Sequence, residues 1–151
     1  MIAVIQRVQK ASVSIDGLVH SAIQKGLMVL LGITHADSES DADWLCRKIC
    51  DLRIFGDENE KMNLSLRSVE NGEILLVSQF TLHASTVKGN RPSFIEAARP
   101  ETAIPLYEYM IQQMSEAIEK PVQTGIFGAN MQVELINDGP VTIIIDSKDR
   151  K

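Results

Sequence analysis

Apolar and polar positions along this chain divide it into short β-patterned runs and two stretches with helical spacing. Residues 3–8 and 11–15 are rich in apolar and β-branched positions, and "SIDGLV" places Asp16 and Gly17 where a two-residue hairpin turn sits. After Lys25 and Gly26, "LMVLLGI" is a continuous apolar run, the pattern of a strand covered on both faces. A helix is expected next. Ala42, Leu45, Cys46, Ile49 and Leu52 recur at helical spacing, and Ser38 or Ser40 is available as N-cap.

Residues 56–72 are polar and contain Gly and Asn, which predicts a loop with room for a short turn. In "EILLVSQFTLHAS", residues 74–77 read as a buried strand and residues 78–84 as its polar end. Residues 86–93, "TVKGNRPS", read as loop, with Pro92 disfavouring helix before it. Ser93 and Glu96 have capping-box spacing for a short helical turn. The second helix is expected to begin near Pro100 and run to about Lys120, with Tyr107, Met110, Ile111, Met114 and Ile118 as its apolar stripe. The rest, "VQTGIFGANMQVELI" and then "GPVTIII", is strand-rich. The expected fold class is α/β: one β-dominated domain over residues 1–151, its mixed and antiparallel strands curled barrel-like, with two main helices packed outside.

Composition narrows this. A chain of 151 residues, 44% hydrophobic and 23% charged, suits one soluble domain able to bury a core. No apolar run is long enough to span a bilayer. Arg7 and Lys10 interrupt the first residues, so no signal peptide is expected and the cytoplasm is the expected location. Two cysteines, Cys46 and Cys50, cannot build a disulfide scaffold. No Cys/His pair at ligand spacing joins them, so reduced thiols near a buried face are expected, and neither metal nor cofactor. A net charge of −5 argues against gripping long nucleic acid through its phosphates. It leaves room for a partner recognised at one small end.

Three polar stretches sit at strand ends beside Gly or Pro, where sites are often built: residues 78–84, 88–93 and 137–142. Each also has a plainer reading, as a solvated strand face, an ordinary loop and a simple turn. No nucleophile elbow, Walker loop, dinucleotide fingerprint or H-E-x-x-H motif is present. His20, His35 and His83 are scattered; a spatial triad of Ser78 or Thr81 with His83 stays open, since residues 81 and 83 of a strand would share a face.

"SQFTL" at residues 78–82 together with "NDGPVT" at residues 137–142 resembles the signature pair of the D-aminoacyl-tRNA deacylases. The resemblance continues through "IQRV", "GNRPSF" and "TGIFGANMQVELINDGPVT". It implies a homodimeric hydrolase that cleaves the ester joining a D-amino acid to the 3′ end of tRNA, with glycine on tRNA a further substrate. It also implies a cis peptide bond at Gly139-Pro140, this segment being inserted from each subunit into the partner's site. Gly-Pro suits such a device, because cis costs only about 0.5–1 kcal/mol before proline and a residue without Cβ can approach a ligand closely. By the same resemblance, Ser78, Gln79, Phe80 and Thr81 form the catalytic segment. Backbone N–H groups near Phe80 and Thr81 are the oxyanion donors, and Arg7 helps hold the Gly-Pro loop. Lys88, with Arg91, is expected to meet phosphates; Met131 or Phe127 to pack on the terminal adenine; and Asn137 to belong with the binding residues. Two routes stay open. Thr81 attacks the ester, or the enzyme positions a water while the 2′-hydroxyl of the terminal adenosine assists. The second is favoured because no base for Thr81 is evident.

Overall fold

A computed structural model describes residues 1–150 of the chain. Its organising element is β1 (Ile2–Ile15), one strand where the sequence pattern suggests two. The pattern breaks because burial changes phase along the strand: Ala3 and Ile5, then Val8, then Ala11 and Val13 point inward. The phase slips coincide with irregularities in pairing with β8 (Gln132–Asp146), between Gln6 and Val8 and between Val8 and Lys10. An inserted residue reverses which face its neighbours present. Ala3 and Ile5 therefore join one core, and Val8, Ala11 and Val13 another.

The first half of β1 pairs antiparallel with β3 (Gly26–Gly32), the second half with β2 (Leu18–Ile23), and β8 follows its other edge. β3 continues in parallel to β6 (Glu73–Ser78), and β6 to the short β7 (Gln123–Thr124). Ser21 Oγ donates to the Thr124 carbonyl at 2.6 Å, drawing β2 towards β7. The mixed sheet is nearly closed and barrel-like. Its small inner core holds Met28, Leu75 and Val77. On the outer face, Leu27, Val29, Leu31, Ile74 and Leu76 pack beneath the helices in the larger core. Coverage on both faces is why β3 and β6 read as unbroken apolar runs.

Helix α1 (Glu39–Asp51) starts at Ser38, whose N–H and hydroxyl donate to Asp41 at 3.0 and 3.1 Å. Asp41 is buried and also receives Lys148 Nζ at 2.8 Å. Burial pushes its carboxyl up, but the hydrogen bonds from Lys148 and Ser38 outweigh that and hold it at about 2. Nearby, the amino group of Met1 lies buried against Asp37 at 2.7 Å and Ser147 at 2.8 Å. Helix α2 (Pro100–Ile118) buries Leu106, Tyr107, Met110 and Met114, and Tyr107 donates to the Leu76 carbonyl at 2.8 Å. Cys46 and Cys50 are both buried free thiols.

Three local expectations change. Residues 56–72 hold the short turn expected there, a 3-10 turn at Leu66–Ser68, but also most of a small hairpin, β4 (Phe55–Gly56) with β5 (Met62–Leu64). After β6 the chain turns at once into a 3-10 turn, Phe80–His83, so Thr81 and His83 share no strand face. Ser93 starts no helix; it pairs with Ser85, and a single turn follows in which Ala97 N–H donates to Phe94.

Candidate active site

Ser78 ends β6 opposite Leu31, and the Gln79 N–H still reaches the Leu31 carbonyl at 2.8 Å. The backbone then leaves the sheet in the 3-10 turn, which lies almost directly on Gly32. A Cβ at Gly32 would stand 3.0 Å from Leu82 Cβ, 3.1 Å from the Gln79 carbonyl oxygen and 3.1 Å from His83 Cδ2. The turn can seat this deeply because position 32 has no side chain. Its N–H groups at Phe80 and Thr81 open a helical turn and so have no partner within it.

A cleft of about 290 Å³ adjoins the turn. Ser78, Gln79 and Phe80 form one wall; Phe127, Asn130 and Met131 form the other. Among the described residues, no ionisable side chain lines it. Met131 packs on the inner core, so the cleft opens off the barrel interior. Thr81 is exposed, and its hydroxyl accepts a hydrogen bond from the Gln79 amide. His83 Nε2 is buried and bonds to no described group, so it does not activate Thr81. A larger cleft of about 520 Å³ lies between α1 and α2. Its charged lining is partly paired within the fold: Asp43 accepts from Tyr109 at 2.8 Å, and Arg67 pairs with Asp51 at 3.1 Å. Size alone does not mark a site.

The second predicted segment is not a turn ahead of a strand. Residues 137–145 belong to the single strand β8, and Gly139-Pro140 is an arch within it. Thr142 pairs with Gln6 and Asn137 with Val8, five steps on β8 against two on β1, so three extra residues loop out opposite Arg7. Gly139 and Pro140 are exposed at the crest, their peptide bond is cis, and Gly139 has φ of +116°.

Side chains hold the arch from both ends. Asn137 Nδ2 donates to the carbonyls of Arg7 and Val141 at 3.0 Å each, while its Oδ1 accepts from Thr142 Oγ1 at 3.1 Å and Gln6 Nε2 at 3.3 Å. The Asn137 amide is thus committed to the fold. Arg7 Nη1 donates to the Ile54 carbonyl at 2.5 Å, and Nε lies 3.1 Å from Asp138 in an ion pair too oblique for a hydrogen bond. The guanidinium fills the space beside Gly139, where a Cβ would stand 2.8 Å from Nη2.

The fold therefore groups Ser78, Gln79, Phe80 and Met131 at the cleft, and Arg7, Asn137, Gly139 and Pro140 at the arch. Lys88 lies exposed in the loop after the 3-10 turn. None of the cavities described holds both groups. Sequence reading missed Gly32, Asp138 and the Gln6–Thr142 link. Gly32 carried a weak signal, a glycine closing an apolar run. The other two carried none, since their partners are distant in sequence. Among the described residues, no group of three or more His, Cys, Asp or Glu is placed to hold a metal, and no helix is long and apolar enough to cross a membrane.

Residues 4–146 match the family described as D-Tyr-tRNA(Tyr) deacylase. The chain belongs to that family. It is 66% identical to a D-aminoacyl-tRNA deacylase of Cytophaga hutchinsonii and 62% identical to one of Bacteroides fragilis, over 100% of both chains in each case. Among solved structures, a "c-Myc DNA Unwinding Element Binding Protein" shares 43% identity at a TM-score of 0.89, covering 97% of this chain and 98% of that one. A probable eukaryotic D-amino acid tRNA deacylase superposes with a TM-score of 0.82 at 15% identity, over 95% of this chain and 97% of that one, a likeness of fold alone. The family match spans both the cleft segment and the arch.

Proposed function

We propose that this member of the D-Tyr-tRNA(Tyr) deacylase family is a cytoplasmic hydrolase that cleaves the ester of D-aminoacyl-tRNA, and of glycyl-tRNA, releasing the amino acid and free tRNA. It works as a homodimer, each arch entering the partner's cleft, and it rejects L-aminoacyl-tRNA. One observation carries the dimeric reading: the cleft beside Phe80 and the cavity beside Arg7 and Asp138 are separate within one chain, although the arch presents exposed backbone at its crest.

In this reading the terminal adenosine enters between Phe80 and the wall of Phe127 and Met131. The partner's arch offers carbonyl oxygens to the substrate's α-ammonium group. With the ammonium and the ester both fixed, the two remaining positions on the α-carbon differ. A D side chain projects away, whereas an L side chain strikes backbone. A steric block of this kind reads handedness without reading the side chain, so many D-amino acids are accepted. Glycine has no side chain to reject.

Water attacks the ester carbonyl, and the N–H groups of Phe80 and Thr81 receive the oxyanion as it forms. Collapse breaks the bond to the ribose 3′-oxygen, and the proton given up by the attacking water reaches that oxygen by relay through the adjacent 2′-hydroxyl, which takes up one proton and passes on another. The uncharged lining supports this route, because it supplies no side-chain base. The Thr81 hydroxyl already accepts from Gln79, which suits a positioning role better than attack.

A deacylation time course on matched D-Tyr-tRNA and L-Tyr-tRNA tests the reading. Rapid loss of the D ester with the L ester spared is expected. Stability of both would mean a binding module, and equal cleavage would remove the chiral role of the arch. In the same assay Thr81→Ala should retain activity within about tenfold of wild type, while a 2′-deoxy terminal adenosine should abolish it. The reverse pattern would restore Thr81 as nucleophile.

A further inference from the structure

The loop beyond the 3-10 turn has features that the ester chemistry does not use. Ser85 and Ser93 exchange two backbone hydrogen bonds of 2.8 Å, closing residues 86–92 into a pinned arm. Every residue from 86 to 92 is exposed. Lys88 and Arg91 are on this arm, and neither pairs with any described residue. Arg7, Arg67 and Lys148 sit against carboxylates; Lys88 and Arg91 differ from the other cations without such a partner in lying together on one projecting, wholly exposed arm. The arm also lies within residues 74–95, the longest stretch of the chain without Asp or Glu. In a chain of net charge −5, two unneutralised cations on one projecting arm form a local positive site.

The arm is joined to the cleft. Phe94, just past its closing pair, meets Phe80 edge-to-face with ring centroids 5.2 Å apart, and Phe80 is part of the cleft wall. The two rings thus join the base of the arm to the cleft wall, and a polymer whose end occupies the cleft can leave along them.

We propose that residues 85–93 form a phosphate grip for the single-stranded 3′ tail of the RNA substrate, with Lys88 and Arg91 neutralising backbone phosphates just before the terminal nucleoside. The proposal rests on the deacylase reading for the occupant of the cleft. Two cations on one arm suit a tail better than a duplex, which would call for a broader positive face. Placed so close to the cleft, they orient the tail while the rest of the acidic surface repels the body of the RNA.

The test compares wild type with Lys88→Gln/Arg91→Gln, two exposed changes that leave the core untouched. KM for D-Tyr-tRNA and Kd for a short fluorescent RNA carrying the tRNA 3′ sequence are measured from about 50 to 200 mM KCl, the range over which phosphate contacts weaken strongly. Neutralising about two single-strand phosphates predicts a log–log salt slope of about 1.4 for the grip's share of either constant. In the variant that share is expected to vanish, and KM at the lowest salt to rise about tenfold. Lys88→Arg/Arg91→Lys should restore the wild-type slope. An unchanged slope in the Gln variant, or a fall in kcat at constant KM, would overturn the grip. Wild type that binds the short RNA with the arm-dependent slope but cleaves neither tyrosyl ester would overturn the deacylase reading and keep the grip.

Discussion

The arch at Gly139-Pro140 and the 3-10 turn at Phe80–His83 both interrupt regular β-structure, yet opposite means hold them. The arch is built by side chains: Asn137 makes four hydrogen bonds around it, and Arg7 fills the space beneath. The turn is held by backbone, through the Gln79 N–H on Leu31 and its seat on Gly32. An arch looped into solvent takes its polar partners from its flanks, because no neighbouring strand satisfies its carbonyls. A turn seated on a sheet can be fixed by packing, which leaves Ser78, Phe80 and Thr81 facing outward. In the proposed dimer the rigid arch selects and the turn receives.

The largest effect should come from adding one methyl group to each region. Gly139→Ala puts Cβ against Arg7 at a backbone angle that L residues avoid, so kcat/KM for D-Tyr-tRNA should fall at least about 100-fold through misplacement of the arch. Gly32→Ala only lifts the turn by a few tenths of an ångström, and kcat should fall between about three- and tenfold with KM little changed. Comparable losses in stopped-flow deacylation would erase the contrast. Next in size, Asn137→Ala deprives two part-buried carbonyls of their donor and should cost about 2–3 kcal/mol in urea unfolding. A cost below about 0.5 kcal/mol, the level of an ordinary surface change, would mean that packing, not hydrogen bonding, holds the arch.

The smallest effect concerns a polar cluster remote from both regions. Asp41 lies at about 2 against an ordinary 3.8, so its contribution is present above about pH 4 and is lost as the pH falls through 2. The shift corresponds to at most about 2–3 kcal/mol, and less in practice because Lys148 is half exposed. Acid unfolding of Asp41→Asn against wild type reads it: the two stabilities should converge towards pH 2. Parallel curves would place the acid sensitivity elsewhere.

Much of this architecture was legible along the chain. β3 and β6 announced themselves as apolar runs, and the helices as apolar stripes starting after Ser38 or Ser40 and near Pro100. What misled was local punctuation. Gly139 and Pro140 read as a turn because glycine and proline usually end strands, whereas pairing with β1 carries the strand through them. The slip of phase in β1 hid one strand as two. "SQFTLHA" lacks the Gly or Pro that marks a turn, and a seat on Gly32 cannot be seen from residues 78–84.

By itself, then, the sequence determined the two helices, the doubly covered strands, the single domain and the family, because periodicity and motif spacing are properties of adjacent residues. Only the tertiary structure decided that the arch belongs to a continuous strand, that Arg7 and Asn137 clamp it, and that Met131 faces Phe80 across a cleft. Those arrangements depend on the register between strands more than a hundred residues apart. No local propensity encodes that register; burial of two separate cores on opposite faces of one sheet sets it.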